Sequence, residues 1–218
     1  MPQAPSCEGH CPGSPRPLVL ASASPRRKDL LLSLGIEFEV DPSAASEAVE
    51  PGLDIAEIVT TVATRKALDV APRHPEALII AADTLVRLDA MVFGKPNNAS
   101  EAREMLRQMS GRSHRVYTGL VLLDAASMEL ESRVVETEVR FRDITRAEID
   151  AYVGTKEPLD KAGGYGMQGL GAVFVERIIG DFWNVVGLPL AALNELLTAT
   201  GSCLICRRLR ASSRGGSA

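Results

Sequence analysis

The chain has 218 residues, 45% of them hydrophobic and 4% aromatic, and its formal net charge at pH 7 is −4. This length suits one α/β domain, or two small ones in close contact, with a substantial core. The low aromatic content argues against a stacking platform for single-stranded nucleic acid, and the acidic balance argues against a protein that coats DNA or RNA.

The two ends differ from the body in composition. Residues 1–17 are rich in Pro, Gly and Ser and predict a disordered leader. Residues 200–218 predict a disordered basic tail. Residues 201–218 hold four arginines and no acid, so the remaining residues carry −4 − 4 = −8. The predicted folded domain therefore spans residues 18–199.

The four cysteines lie only in these ends, at Cys7, Cys11, Cys203 and Cys206. The body needs no disulfide, which favours an intracellular, cytoplasmic protein. A zinc site built from the four thiolates is an alternative. No apolar run reaches the ~18 residues of a membrane span, and the N-terminus lacks a signal-peptide pattern. Membrane association is not expected.

The first elements are a strand, a tight turn and a helix. Residues 18–21 are apolar and predict the strand, and Pro25 after a serine-rich turn predicts the helix start. Arg26 and Arg27 lie in the first helical turn, where cations oppose the helix dipole. Both would suit an anion bound at that helix end. Alternatively, both are solvated surface residues.

Residues 36–40 alternate and predict a strand, after which residues 41–52 predict an irregular acidic loop containing Glu47. Residues 53–70 predict a helix with Lys66 in its later turns. There Lys66 complements the helix dipole, or it points towards the acidic loop or a bound phosphate.

A buried strand is predicted for residues 78–86, where an apolar run stops abruptly at Asp83 and Thr84. Taken alone, Asp83 caps the next turn. Basic residues in glycine- or proline-marked loops elsewhere change this interpretation, because together they suit a polyphosphate. Asp83 then becomes a reactive carboxylate at the edge of a sheet.

The middle of the chain continues this pattern. Lys95 lies between a glycine and a proline after a hairpin-like segment, which favours a placed cation. Residues 110–119 predict a loop in which Arg112 and hydroxyl groups offer donors to phosphate. Its histidine is expected to be a structural hydrogen-bonding group. A helix over residues 101–109, capped by Ser100 or Asn98, is predicted before this loop. Strands are predicted at residues 120–123 and 134–141, as an antiparallel hairpin. Thr145 is predicted to cap the next helix, with Glu148 at the capping-box position.

The last part of the chain contains four glycines within residues 163–169, which excludes a stable helix or central strand there. Lys161 stands before this segment and Gln168 lies within it. The Gln168 amide carries both a donor and an acceptor, which suits the edge of a base. A strand at residues 172–175 and a turn at residues 178–189 are predicted next, followed by a final helix that ends at residue 197.

Six strings in order resemble the Maf family of nucleoside triphosphate pyrophosphatases. They are Leu-Ala-Ser-Ala-Ser-Pro-Arg-Arg from residue 20, Ala-Asp-Thr from 82, Gly-Lys-Pro from 94, Ser-Gly-Arg-Ser-His from 110, Asp-Lys-Ala-Gly-Gly-Tyr-Gly-Met-Gln-Gly from 160, and Asn-Val-Val-Gly-Leu-Pro from 184. The fifth string resembles the subfamily that acts on dTTP and UTP.

The resemblance implies hydrolysis between the α- and β-phosphates, giving a nucleoside monophosphate and pyrophosphate, with Mg²⁺ or Mn²⁺ as cofactor. It implies that Asp83 is the proton acceptor and a metal ligand, with Glu47 as a second metal ligand. Glu47 lies in a loop with fewer acids than the family pattern. The implied or expected substrate-binding residues are Arg26, Arg27, Lys66, Thr84, Lys95, Arg112, Lys161 and Gln168.

The implied fold is α/β: a mixed, curved β-sheet flanked by helices around a central nucleotide-binding cleft, in the Maf/ITPase-like arrangement. The implied partner is a nucleoside triphosphate, not a nucleic acid or a membrane, and the family suggests a homodimer. Two alternatives stay open. One is a pyrophosphatase for modified or purine nucleotides, and the other is a nucleotide-binding regulator of cell division with little turnover.

Overall fold

The computed structural model describes residues 16–215, in which seven strands form one sheet. The strands are β1 Leu18–Leu20, β2 Glu39–Val40, β3 Leu78–Leu88, β4 Met91–Phe93, β5 Ser113–Asp124, β6 Leu130–Phe141 and β7 Val175–Ile179. Their spatial order is β2-β1-β3-β5-β6-β7, with β4 paired to β3. β1 is parallel to both neighbours and the other pairs are antiparallel. The predicted mixed α/β class is therefore confirmed.

Seven α-helices flank this sheet within the same residues. They are α1 Pro25–Ser33, α2 Ile55–Val70, α3 Ala99–Met109, α4 Arg146–Gly154, α5 Phe182–Val186, α6 Leu190–Ala199 and α7 Leu204–Gly215. Short 3₁₀ turns occur at Ala71–Arg73, Glu157–Asp160, Ala162–Gly164 and Leu170–Phe174. No helix in the described part of the chain combines the length and apolar character needed to cross a bilayer.

The apolar run of β3 is buried on both faces of the sheet. Leu78, Ile80 and Ala82 pack in a core with α1 and α6. Ile79 and Ala81 point the other way, into a core with α2. A strand covered on both faces shows a continuous apolar run rather than alternation, which explains why this segment is the clearest strand in the sequence.

Gly119 on β5 allows α2 to lie directly on the sheet. A Cβ atom at this position would be 2.5 Å from the backbone carbonyl carbon of Val59 on α2. Because real Cβ atoms do not approach that closely, any other residue would push α2 outwards. The same helix carries Lys66, so this close contact fixes the distance of Lys66 from β3.

The predicted helix starts agree with the structure. α1 begins at Pro25, and α3 follows the cap Asn98. Thr145 and Glu148 form the predicted capping box of α4. α2 begins two residues later than predicted because the Asp54 carboxylate caps it.

The predicted loop at residues 110–119 is wrong from Ser113 onwards, because these residues form the first half of β5. Ser113 pairs with Arg140 and Gly119 pairs with Val134 on β6. The polar side chains suggested a loop, but β6 supplies a backbone partner for each residue. Tertiary pairing therefore overrides the local polarity. The β5–β6 antiparallel hairpin itself is confirmed.

Two predictions near the end of the domain are also wrong. The expected strand at residues 172–175 is mostly the 3₁₀ turn Leu170–Phe174. Pairing with β6 begins only at Val175, which lies opposite Phe141, the last residue of β6. The expected turn at residues 178–189 contains α5. Asp181 caps this helix by accepting from the N–H groups of Trp183 at 2.7 Å and of Asn184 at 3.3 Å.

The predicted disordered tail is wrong for residues 204–215, which form α7. Two of the arginines that were assigned to the disordered basic tail connect this helix to the rest of the domain. Arg207 donates to the carbonyl of Arg16 at 3.0 Å, and Arg208 donates to the carbonyl of Gly35 at 3.3 Å. Leu204 packs against the core that contains α1 and α6.

Cys203 and Cys206 are buried at the start of α7, with their Sγ atoms 2.9 Å apart. Cys7 and Cys11 lie outside the described residues, as does nearly all of the predicted leader. The zinc alternative and the disorder of the leader therefore stay predictions.

Candidate functional site

A cleft opens beside β3 at the point where its parallel neighbour β1 ends. The pairing reaches Leu20 and Ile80, after which the chain of β1 turns away into α1. Asp83 lies three residues further along β3, which itself continues to Leu88. The sequence suggested that the strand stops at Asp83. The structure shows instead that the adjacent strand stops, and this leaves Asp83 beside the cleft.

Every sequence-predicted site residue except Arg112 lines this cleft, which has a volume of about 270 Å³. The residues brought together are Arg26, Arg27, Glu47, Lys66, Asp83, Thr84, Lys95, Lys161 and Gln168. Five of the lining side chains are cationic and three are carboxylates, the third being Asp160. The cleft therefore has a net charge of +2 in a chain of net charge −4. Such a local reversal of sign favours a small anionic ligand.

Lys66 joins the two predicted metal ligands. Its Nζ atom lies 2.8 Å from Oδ1 of Asp83 and 2.6 Å from Oε1 of Glu47. The hydrogen bond from Lys66 lowers the pKa of Glu47 below its usual value, and the charges of Lys95 and Arg27 add to this effect against the opposing effect of burial. Lys66 therefore points to the acidic loop, as one of its two sequence interpretations predicted.

This pair of carboxylates fits a hard divalent cation in its donor chemistry. Asp83 and Glu47 both approach one point, which the Lys66 ammonium group occupies. Mg²⁺ bound with substrate phosphates needs only one or two protein carboxylates, because waters and phosphate oxygens complete its shell. Within residues 16–215, no group of three or more His, Cys, Asp or Glu side chains is arranged to hold a metal by itself.

Arg27 is buried and bonded to protein atoms around the cleft floor. It donates to the carbonyls of Gly187 at 2.7 Å and Ala82 at 2.8 Å, and to the hydroxyls of Ser22 at 3.2 Å and Thr84 at 3.0 Å. Burial lowers its pKa to about 10, while Asp83 acts in the opposite direction, so the group stays charged at neutral pH. Most of its donors hold the protein together and are not free for phosphate.

Thr84 is fixed on the floor of the cleft next to Asp83. Its Oγ1 atom accepts from Arg27 and lies 2.9 Å from Oγ1 of Thr118 on β5. Asp83 and Thr84 are neighbours on β3, and neighbouring side chains of a strand point to opposite faces of the sheet. The two residues therefore approach a ligand from different directions. A threonine hydroxyl held from two directions presents a defined shape to a ligand.

Arg26 and Lys161 meet across the cleft through Asp160, which the sequence analysis did not include among the site residues. The Asp160 carboxylate lies 2.8 Å from Arg26 and 2.6 Å from Lys161. The signal in the sequence was its position directly before Lys161 at the head of the glycine-rich segment. Asp160 therefore holds these two cations together.

Lys95 reaches the cleft from the loop after β4. The carbonyl of Gly94, its neighbour, accepts from the N–H group of Gly163 at 3.0 Å. This bond ties the Lys95 loop to the glycine-rich loop, and both loops line the cleft. The expectation that Lys95 is a placed cation is therefore supported by its surroundings.

Arg112 is the predicted site residue that lies apart from the cleft. Its guanidinium group forms an ion pair with Asp89, in the turn between β3 and β4. It also donates to the carbonyl of Gln108 at 3.4 Å. Because Ser113 onwards is a strand whose Arg115 pairs with Arg87, the side chain of Arg112 lies beyond the Leu88 end of β3 and away from Asp83. The string around Arg112 resembles the family, but this side chain does not join the others.

His114 forms the structural contact that was expected of it. Its ring packs edge-on against Phe141 and Tyr165, with ring centroids 4.7 and 5.4 Å away, and its Nε2 atom lies 2.8 Å from the Tyr165 hydroxyl. Burial lowers the pKa of His114 to about 3. His114 does not line the cleft, and a ring with so low a pKa is too weak a base to deprotonate water.

Unfolding should become easier between pH 6.5 and pH 3 because of His114. Its folded pKa lies below the ordinary value of 6.5, so its contribution to stability is complete above pH 6.5 and is lost as the pH falls. From pH 7 to pH 5 we expect His114 to account for a loss of about 2 kcal/mol. When unfolding by urea is measured at pH 7 and pH 5, His114→Gln should lose about 2 kcal/mol less stability than wild type between these pH values. His74→Gln should lose as much as wild type. Equal losses in both variants would contradict this assignment.

Comparison with known proteins agrees with the geometry. Residues 17–200 match the family model described as Maf-like protein. A protein named dTTP/UTP pyrophosphatase from Bacillus cytotoxicus is 49% identical over 176 residues, covering 80% of this chain and 91% of that protein. Proteins of the same name from Desulforamulus reducens and Bacillus mycoides are 45% and 46% identical, over 85% and 82% of this chain and 97% and 92% of their own lengths.

These matches cover nearly the whole folded part, including all the strands and the cleft that they position. The chain therefore belongs to the Maf-like protein family.

Proposed function

We propose that this chain hydrolyses dTTP and UTP between the α- and β-phosphates, releasing a nucleoside monophosphate and pyrophosphate. The observation that carries the proposal is a carboxylate, Asp83, beside a cluster of five cations in one cleft. The names of the relatives at 45–49% identity support the choice of substrate. A catalytic carboxylate among phosphate-binding cations suits phosphoryl chemistry, which depends on positioning and charge neutralisation.

The cations have distinct parts in this proposal. A nucleoside triphosphate carries about four negative charges. Arg26, Lys95 and Lys161 line the cleft around the space that these charges would enter. Arg26 and Lys161 are paired with Asp160, whose side chain is 56% exposed. Bound phosphate oxygens would compete with Asp160 for both cations, so this carboxylate is the group expected to move.

Asp83 would hold the attacking water and take its proton. Lys66 is bonded to this carboxylate at 2.8 Å and holds it in place beside the cleft. When the Lys66 ammonium moves to a phosphate oxygen, the Asp83 oxygen becomes free to accept a proton from water. Removal of that proton in the transition state typically contributes ~10²–10⁴ in rate.

The same residues would hold the divalent cation. Mg²⁺ or Mn²⁺ between Asp83 and Glu47 would supply charge neutralisation on the phosphate oxygens when bound. Both carboxylates would then bind the cation instead of Lys66.

A panel of nucleotides tests the proposal. We expect the purified protein with Mg²⁺ to release pyrophosphate faster from dTTP and UTP than from CTP, dATP or GTP. Faster release from a modified pyrimidine or a purine nucleotide would support the first alternative. Binding of nucleotides without any product would support the regulator with little turnover. Either result would overturn the proposed substrate or activity.

Gln168 is proposed to read the base. It lies at the exposed rim of the cleft within the glycine-rich loop. Its amide can accept from N3–H and donate to O4 of uracil or thymine. Gln168→Ala should lower kcat/KM for UTP relative to GTP by about tenfold, while the affinity for tripolyphosphate stays within about twofold. Gln108→Ala on α3, outside the cleft, is the matched control. An equal loss for every nucleotide would contradict a role in base selection.

Homodimeric assembly and a cytoplasmic location are proposals that rest on the resemblance and, for the second, on a body that contains no cysteine between residues 12 and 202.

A further inference from the structure

Glu157 has more loop contacts than its position outside the cleft would suggest. It begins the 3₁₀ turn Glu157–Asp160 after α4 and does not line the cleft. Its Oε2 atom accepts from the N–H group of Leu170 at 3.0 Å, and its Oε1 atom accepts from that of Gly171 at 3.2 Å. Oε1 also accepts from the Tyr152 hydroxyl at 2.9 Å. Both oxygens of this carboxylate therefore accept hydrogen bonds from the end of the glycine-rich loop. One of them also accepts from Tyr152, which packs beneath that loop.

Three glycines of the loop lie close against this carboxylate or its partner Tyr152. A Cβ atom on Gly169 would lie 2.4 Å from Oε1 of Glu157, and one on Gly166 would lie 3.1 Å from the same oxygen. A Cβ atom on Gly171 would lie 2.6 Å from the Tyr152 hydroxyl. The loop thus wraps closely around Glu157 and Tyr152, and a side chain at Gly166, Gly169 or Gly171 would force these groups to shift. The many glycines of this loop are therefore explained in part by its close contact with Glu157 and Tyr152.

Glu157 also holds the other arm of the loop. The Lys161 ammonium donates to the carbonyl of Glu157 at 2.7 Å. The N–H group of Gly166 donates to the Tyr152 hydroxyl at 3.2 Å. Lys161 and Gln168 are the two proposed substrate-binding residues that the loop carries. Glu157 contacts Lys161 directly, and on the far side of Gln168 it contacts Leu170 and Gly171.

We propose that Glu157 is a positioning residue, whose carboxylate fixes the shape of residues 161–171 so that Lys161 and Gln168 meet the phosphate and the base together. Glu157 itself does not touch the substrate. The inference rests on the proposed function for its effect on turnover, but its structural part stands on the hydrogen bonds alone. Charge-assisted bonds of this type are about twice as strong as neutral ones.

Glu157→Gln tests the proposal with almost no change of volume. One carboxylate oxygen becomes an amide NH₂ group that cannot accept, so the hydrogen bond from the N–H group of Leu170 or the one from that of Gly171 is lost. The backbone amides of Leu170 and Gly171 should exchange hydrogen at least about tenfold faster. KM for UTP should rise about tenfold and the UTP:GTP preference should fall, with kcat within about threefold of wild type.

Two further variants separate positioning from general damage. Tyr152→Phe removes the hydroxyl that supports Gly166 and Glu157, and it should change KM and loop exchange in the same direction by a smaller factor. Glu131→Gln removes an exposed carboxylate at the far end of β6 and should change neither. Wild-type exchange, KM and base preference in Glu157→Gln would overturn the proposal, and so would a fall in kcat with no change in KM.

The exchange measurement needs no turnover. If wild-type protein released no pyrophosphate while Glu157→Gln still loosened Leu170 and Gly171, the proposed function would fail and the anchoring of the loop would stand. If wild type were active and Glu157→Gln left the loop unchanged, the positioning role alone would fail.

Discussion

Asp83→Asn is expected to lower kcat for pyrophosphate release by about 10²–10⁴-fold, while the nucleotide still binds. Asparagine keeps the shape of aspartate but is too weak a base to accept a proton from water. It also removes one negative charge beside Lys66 and the other cations of the cleft. Measured without a divalent cation, the dissociation constant for UTP should therefore stay the same or decrease. A coupled assay of pyrophosphate measures the first quantity, and isothermal titration calorimetry measures the second.

Asp89→Asn is the matched control for this variant. Asp89 lies in the turn at the end of the same strand, and its φ of 53° is a conformation that asparagine tolerates. The substitution removes only the exposed ion pair with Arg112, so activity should stay close to wild type. If Asp83→Asn retained turnover within about threefold of Asp89→Asn, Asp83 would not be the base.

Arg27→Met should lower the free energy of unfolding by about 3–5 kcal/mol. The variant leaves the carbonyls of Ala82 and Gly187 without the donor that holds them, and it frees the hydroxyl of Thr84 on one side. These atoms connect β3 to the turn before α6, so the loss should reach beyond the cleft. Urea or thermal unfolding measures it.

Arg107→Met provides the comparison, because Arg107 is an exposed arginine on α3 whose partner is Glu104. Surface pairs of this kind contribute little, so the free energy of unfolding should change by less than about 0.5 kcal/mol. If the two variants were equally stable, the interpretation of Arg27 as the link between β3 and the Gly187 turn would be wrong. Its role would then be confined to the ligand.

The sequence predicted the part of the fold that depends on buried apolar runs and helix caps. The apolar run of β3 and the capping box at Thr145 and Glu148 both occur where expected. The central cleft was implied by the family resemblance, and in the structure parallel β1 and β3 bring the turn before Arg26 next to Asp83. Local patterns suffice where a strand has two covered faces or a helix has a polar cap.

What the sequence missed depends on partners that are distant along the chain. The polar residues 113–119 are strand because β6 pairs with them, and Arg112 is directed to Asp89 as a consequence. Helix α7 is held by bonds from arginines to Arg16 and Gly35, which no local pattern encodes. Arg27 was expected to bind an anion. That four protein acceptors surround it follows only from the folded arrangement.

The ³¹P spectrum of UTP incubated with the wild-type protein and Mg²⁺ tests the central claim most directly, because it identifies the bond that is broken. The account predicts that the three resonances of UTP are replaced by those of UMP and pyrophosphate in equal amounts. Unchanged UTP, or the appearance of UDP and orthophosphate, would contradict it.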